Sequence, residues 1–206
     1  MEFFMKMNLP NKLTVLRLCM VPAIIIVLLL PVTWITNVLG ALIFLAASLT
    51  DMFDGKIARE RGLVTDFGKF LDPLADKFMV IAAIMAIIYR SADNALIFNI
   101  FMPLLIITVF RELAVASIRL VASTTAGVVV AANMLGKIKT VSQIVCIMAV
   151  LLEPVLGLVI TCFFPSFNIF SYYPVTCASA LVTLVFTVWS GVVYIRSYWK
   201  YLDPEK

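Results

Sequence analysis

Six stretches of this chain are apolar for long enough to cross a lipid bilayer, and this constrains its fold more than any other feature. A spanning helix needs about 20 mostly apolar residues and pairs all its backbone groups internally. Such windows lie near residues 14–31, 33–54, 71–89, 95–118, 138–162 and 174–196. Of the 206 residues, 63% are hydrophobic and only 14% charged, with mean hydropathy +1.08. That leaves too few charges to cover a soluble domain. The expected fold is therefore an all-α integral membrane protein with six transmembrane helices.

The first apolar run follows a basic stretch, as a secretory signal would. It lacks a small-residue cleavage site and leads directly into further spans, so a retained helix is expected. No linker rich in Gly, Ser or Pro and no repeat divides the sequence, so one domain is expected over 1–206. It comprises a juxtamembrane segment (1–12), a six-helix core (14–196) and a tail (197–206). In the first segment Phe3, Phe4, Met5 and Met7 mix with Lys6 and Lys12 around Pro10, a pattern suited to a short amphipathic helix on the membrane surface. Cys19, Cys146, Cys162 and Cys177 stand singly in or beside apolar runs and read as small buried hydrophobes.

Lys and Arg accumulate on the cytosolic side of membrane proteins. Here they cluster in the amino-terminal arm (Lys6, Lys12, Arg17), after the second span (Lys56, Arg59, Arg61, Lys69, Lys77), after the fourth (Arg111, Arg119, Lys137, Lys139) and in the tail, with Arg90 alone on the other side. Both termini are expected in the cytosol, in a plasma (inner) membrane protein with no nucleic-acid partner.

Between the second and third spans lies Asp51-x-x-Asp54-Gly55-x-x-Ala58-Arg59, then eight residues, then Gly68-x-x-x-Asp72-x-x-x-Asp76. Asp51, Asp54, Gly55 and Ala58 share one helical face, and Asp72 and Asp76 lie one turn apart on the next helix. Pro73 is tolerable in that helix's first turn. A carboxylate at the bilayer costs about 2.5 to 3.5 kcal/mol even on a lenient scale, so four together require compensation. Lys56, Arg61, Lys69 and Lys77 fall mostly off the acidic faces. Divalent metal explains the oxygen donors, and a pair of ions would stabilise both oxygens of a phosphoryl displacement. Gly55, Ala58 and Gly68 would clear space for a bulky ligand, and Arg59 can fork onto a phosphate. With no histidine in the chain, a carboxylate must act as general base. Asp76 is deepest along its helix, where desolvation would raise its proton affinity and bound metal would oppose that rise.

A second basic set follows the fourth span: Arg111-Glu112, Arg119, and Lys137-Ile138-Lys139-Thr140. Arg111 and Arg119 are about two turns apart. The group suits a small phosphorylated cosubstrate beside the metals; the alternative is anchoring to anionic headgroups.

The acidic pattern resembles the signature of the CDP-alcohol phosphotransferases at every position. The resemblance implies a six-helix membrane fold, usually a homodimer, in which Asp51, Asp54, Asp72 and Asp76 hold two divalent ions, Mg2+ or Mn2+. It also implies Asp76 as the base, and a CDP-diacylglycerol site bordered by Asp51, Gly55, Ala58, Arg59, Gly68 and Asp72. Three further segments, Pro10-Asn11-x-x-Thr14-x-x-Arg17, Phe110-Arg111-Glu112-Leu113 with Arg119, and Gly136-Lys137-x-Lys139-Thr140-x-x-Gln143, look like the members that use glycerol 3-phosphate as acceptor. Arg111, Arg119, Lys137 and Lys139 would then hold the acceptor phosphate. The stretch from Val121 to Ala132 is richer in Thr, Ala and Val than that subfamily's loop.

Three other readings compete. The same chemistry could serve another acceptor, such as serine, an inositol phosphate or phosphatidylglycerol, although the second basic set favours a phosphorylated one. Intramembrane prenyltransferases place their aspartates on distant segments. A cation transporter would spread acids through the membrane depth, whereas within the six apolar windows here only Glu112 and Glu153 stand apart from the constellation.

Overall fold

The computed structural model describes residues 7–60, 65–126, 134–164 and 169–199, and these form helices without strands. The helices are α1 (Leu9–Leu29), α2 (Trp34–Glu60), α3 (Asp66–Arg90), α4 (Ala95–Ala126), α5 (Met134–Phe163) and α6 (Pro174–Tyr198), with a 3-10 turn at Ile169–Tyr172 before α6. Residues 1–6 and 200–206 lie outside the described residues, and with them half of the expected surface segment and most of the tail. The helix expected to begin at 14 starts at Leu9, with Pro10 in its first turn, where a missing amide costs no hydrogen bond. It stops at Leu29 because Leu30 precedes Pro31 and is steered out of the helical region.

Five of the six helices are long and apolar enough to span a membrane. The exception is α3, whose amino-terminal half carries Asp66, Lys69, Asp72, Asp76 and Lys77, leaving residues 78–89 as its uninterrupted apolar stretch. At 25 residues it nevertheless matches the others in length.

Packing closes the six helices into a ring. α1 lies against α2 and α3, α2 against α5, α5 against α6, α6 against α4, and α4 against α3. α2 and α3 meet each other only narrowly, as do α3 and α5. Each helix turns a stripe of three- and four-residue spacing inward, and on α1 that stripe is Asn11, Thr14, Arg17, Val21, Ile24 and Leu28, all buried. Leu16, Ile26, Phe78, Phe110 and Val185 are among the many large apolar side chains that face outward. The protein is an all-α integral membrane protein, and its outer surface is as apolar as its core.

Because lipid is no more polar than leucine, helix association here rests on close packing and buried hydrogen bonds. α6 shows this in its buried face of Thr176, Ala180, Thr183, Thr187, Ser190, Gly191 and Tyr194. The Thr183 hydroxyl donates to its own helix at Ser179 O (2.8 Å) or across to Ser142 O on α5 (2.9 Å). A side chain at Gly191 would press on Arg111 Cγ at 3.2 Å, so glycine there lets α4 approach. The cysteines are all free, but only Cys146 is buried; Cys19 and Cys162 are exposed on the apolar exterior, where a thiol serves as a small hydrophobe equally well.

The end remote from the acidic pattern is fixed by polar contacts. Arg90 donates from Nη2 to Asn37 Oδ1 at 2.7 Å, tying α3 to α2. Glu153, 1% exposed, accepts from Val175 N (2.9 Å), Thr176 N (2.7 Å) and Thr176 Oγ1 (2.6 Å). It caps α6 from α5, placing a negative charge at the positive helix end. The entry to α6 needs this help, since Tyr173 sits at φ 52° in the left-handed region immediately before Pro174. Burial and the Glu153 carboxylate push the Tyr173 phenol above its usual range.

Replacing Glu153 with Ala leaves buried amides and a hydroxyl unpaired, and should cost roughly 2 to 3 kcal/mol. Thermal unfolding in detergent should show a clearly lowered midpoint, with Glu153→Gln less affected; an unchanged midpoint in both would contradict the capping role.

Candidate active site

The carboxylates expected to act together are carried on two helices that barely touch, and α1 joins them. Arg17 on α1, fully buried, places Nη1 2.7 Å from Asp51 Oδ1 on α2. One turn earlier, Thr14 Oγ1 donates to Asp72 Oδ1 on α3 at 2.5 Å. A third contact extends the row, because Asn11 Nδ2 and Thr65 Oγ1 lie 2.9 Å apart. Thr65 in turn caps α3 by accepting from Gly68 N at 3.1 Å. Asn11, Thr14 and Arg17 recur every three residues, so one face of α1 reaches the amino terminus of α3 and the carboxylates of both helices.

The cations nearest the aspartates in sequence are Lys56, Arg61, Lys69 and Lys77, whereas Arg17, which pairs with Asp51, is distant in the chain. The available signal was three polar residues at helical spacing opening an apolar run. A fully buried guanidinium is stable only beside an opposite charge, and Asp51 supplies it. At Gly68, expected to clear space for a ligand, a side chain would also meet Asn11 Oδ1 at 2.9 Å. Its absent side chain therefore admits α1, and Asn11 joins the wall of the site.

α2 continues as helix through Asp54, Gly55, Ala58 and Arg59, so the expected shared face exists in the backbone. The side chains of residues 52–60 lie outside the described residues. Among the described residues, no three acidic side chains gather into a metal-binding group. Asp51, Asp72 and Asp76 do provide hard oxygen donors on adjoining helices, the chemistry Mg2+ and Mn2+ prefer.

Asp76 opens onto a second cluster. It lines a narrow cleft between α3, α4 and α5 with Lys77, Thr108, Glu112, Lys139 and Gln143. The cleft measures about 10 Å3, roughly room for one water or hydroxyl. Two far larger grooves, about 420 and 660 Å3, open on the apolar exterior, so volume is no guide to the chemistry here. Within the cleft Glu112 Oε1 accepts from Arg111 Nη1 (2.8 Å) and Lys139 Nζ (2.6 Å), and its Oε2 lies 3.8 Å from Lys77 Nζ. One carboxylate thus gathers cations from three helices.

The four basic residues expected to hold a phosphate are distributed unequally. Arg111 and Lys139 converge on Glu112, and Arg111 Nε is buried without a hydrogen-bond partner. Arg119, about two turns along α4, donates from Nη2 to Tyr194 Oη at 3.1 Å, with its guanidinium 6.0 Å from that ring's centre. Lys137 is not brought to the cluster. It is exposed and borders the outer groove with Ile138, Val141 and Phe186, because two residues on a helix point some 200° apart.

The family model described as CDP-alcohol phosphatidyltransferase matches residues 7–193. A Bacillus subtilis protein named CDP-diacylglycerol--glycerol-3-phosphate 3-phosphatidyltransferase is 39% identical over 96% of this chain and 98% of its own. A protein of the same name from Escherichia coli is 33% identical over 94% of this chain and 96% of its own. One from Rickettsia bellii is 48% identical over 41% of this chain and 46% of its own. The matched span contains the acidic constellation, the α1 stripe and the cation cluster alike: the chain belongs to the CDP-alcohol phosphatidyltransferase family and is a phosphatidyltransferase enzyme.

Proposed function

We propose that this enzyme transfers the phosphatidyl group of CDP-diacylglycerol to glycerol 3-phosphate, releasing CMP. The observation that carries this reading is the cleft shared by Asp76 and the Glu112-centred cations. Lys77, Arg111 and Lys139 outnumber the carboxylates of Glu112 and Asp76 around the cleft, and the net positive charge favours an anionic, phosphorylated acceptor. A zwitterionic acceptor such as serine, with no net charge, gains less from it. The family membership and the names of the relatives point the same way.

In this reading Asp51, Asp54, Asp72 and Asp76 hold two divalent ions, Mg2+ or Mn2+, which when bound neutralise the donor diphosphate and the oxygens that develop charge. Asp51 and Asp72, with Gly55, Ala58, Arg59 and Gly68, border the CDP moiety, and the acyl chains stay in lipid. Arg111, Lys139 and Arg119 bind the acceptor phosphate; Lys137, on the outer face of α5, serves headgroup anchoring instead. Asp76 removes the proton from the acceptor's primary hydroxyl. That oxygen attacks the lipid-linked phosphorus, the bond to the CMP oxygen breaks, and Arg59 receives the charge on the leaving group. The enzyme works as a homodimer in the plasma (inner) membrane, with both termini and the active site in the cytosol. The Lys and Arg distribution supports that orientation.

Metal-dependent CMP release with radiolabelled glycerol 3-phosphate tests donor, acceptor and cofactor together, and ion flux into proteoliposomes without CMP release would favour a transporter. Asp76→Asn should lower turnover by about a hundredfold or more while CDP-diacylglycerol still binds; a near-normal rate would remove Asp76 as the base. Arg111→Ala should raise the KM for glycerol 3-phosphate roughly tenfold or more, and Lys137→Ala less than about twofold. Equal effects of the two would return Arg111 to a headgroup role.

A further inference from the structure

Gln143 lies on α5 one turn beyond Lys139, on the same buried face, and is 2% exposed. Its Nε2 donates to Thr108 Oγ1 on α4 at 3.2 Å, and its Oε1 is buried without a partner. A buried amide end left unpaired is destabilising, and this residue lines the same cleft as Asp76 and Lys139. The cleft has the volume of a single hydroxyl, about 10 Å3. Whichever amide end faces Thr108, the other is left in the cleft, and a hydroxyl can satisfy either because it both donates and accepts.

Glycerol 3-phosphate carries a phosphate, a primary hydroxyl and, between them, a secondary hydroxyl. The first two already have partners in the proposed reaction, the Arg111–Lys139 pair and Asp76. Resting on that reading, we infer that Gln143 is a specificity residue that hydrogen-bonds the acceptor's secondary hydroxyl, with Thr108 holding the amide in place. The three groups of the acceptor then meet three protein positions in chain order: the cations beside Glu112, Gln143, and Asp76. This fixes which oxygen reaches Asp76, and it penalises phosphorylated alcohols that have no hydroxyl at the middle carbon. A site built to bond a hydroxyl rejects the analogue lacking it far more strongly than an apolar pocket rejects a missing methylene.

The test compares glycerol 3-phosphate with 3-hydroxypropyl phosphate, which keeps the phosphate and the primary hydroxyl but lacks the secondary one. With the purified full-length chain and CDP-diacylglycerol, wild type should favour glycerol 3-phosphate in kcat/KM by roughly a hundredfold or more. Gln143→Leu should bring the two acceptors within about fivefold, by losing activity chiefly toward glycerol 3-phosphate, with the KM for CDP-diacylglycerol unchanged. Thr108→Val, nearly equal in size, should shrink the ratio severalfold by releasing the amide, and it serves if Gln143→Leu does not fold. A wild-type ratio near one, or a ratio that neither substitution moves, overturns the assignment of Gln143. CMP release by wild type with neither acceptor would instead overturn the proposed function, and this inference with it.

Discussion

The structure depends on one helix face that two acid-bearing helices share. α2 and α3 make little contact with each other, so Asp51 and Asp72 hold their relative places through Arg17 and Thr14 on α1. The dependence runs mainly one way: the guanidinium of Arg17 is fully buried and has no water to turn to, whereas Asp51 is partly exposed and supplies the charge that holds it there. The same stripe continues as Val21, Ile24 and Leu28, so the polar clasp and the apolar packing of α1 share one register. A shift of a single residue would lose both.

A comparable economy governs the cations. Glu112 is buried among Arg111, Lys139 and Lys77, whose mutual repulsion would otherwise oppose gathering them at one point. With the carboxylate present the cluster keeps its shape while leaving excess positive charge and an unpaired Arg111 Nε. In the proposed reaction that surplus is what meets the acceptor phosphate. Glu153 illustrates the contrary case. Its oxygens are taken up by the start of α6, which gives this buried acid a structural role.

Much of the site was legible because its chemistry is local. Asp51, Asp54, Gly55 and Ala58 recur at helical spacing, and Asp72 and Asp76 are one turn apart, so the chain itself predicts two acidic faces. What stayed hidden was contact between segments. Arg17 reads as one more basic residue of a positive-inside arm until α1 is seen to turn it inward against Asp51. That Gly68 also lets α1 approach, with Asn11 beside it, shows only once the helices are packed. Lys137 and Lys139 look like one basic patch, yet the helix turns them to opposite sides. The amide of Gln143 carries no sign in the sequence of being left half-paired in a cleft.

The sequence by itself determined that the chain is helical and crosses a membrane, because in hydrocarbon only internally bonded backbone survives and apolar length decides where it lies. It also determined which residues carry the acids, since that pattern lies within neighbouring helical turns. Tertiary structure alone decided the ring order of the helices, the joining of α2 and α3 through α1, and the sorting of cations between cleft and surface. Hydropathy could not have decided these, because lipid-facing and helix-facing positions are equally apolar. The choice between them rests on a handful of buried polar contacts whose partners are far apart in the chain.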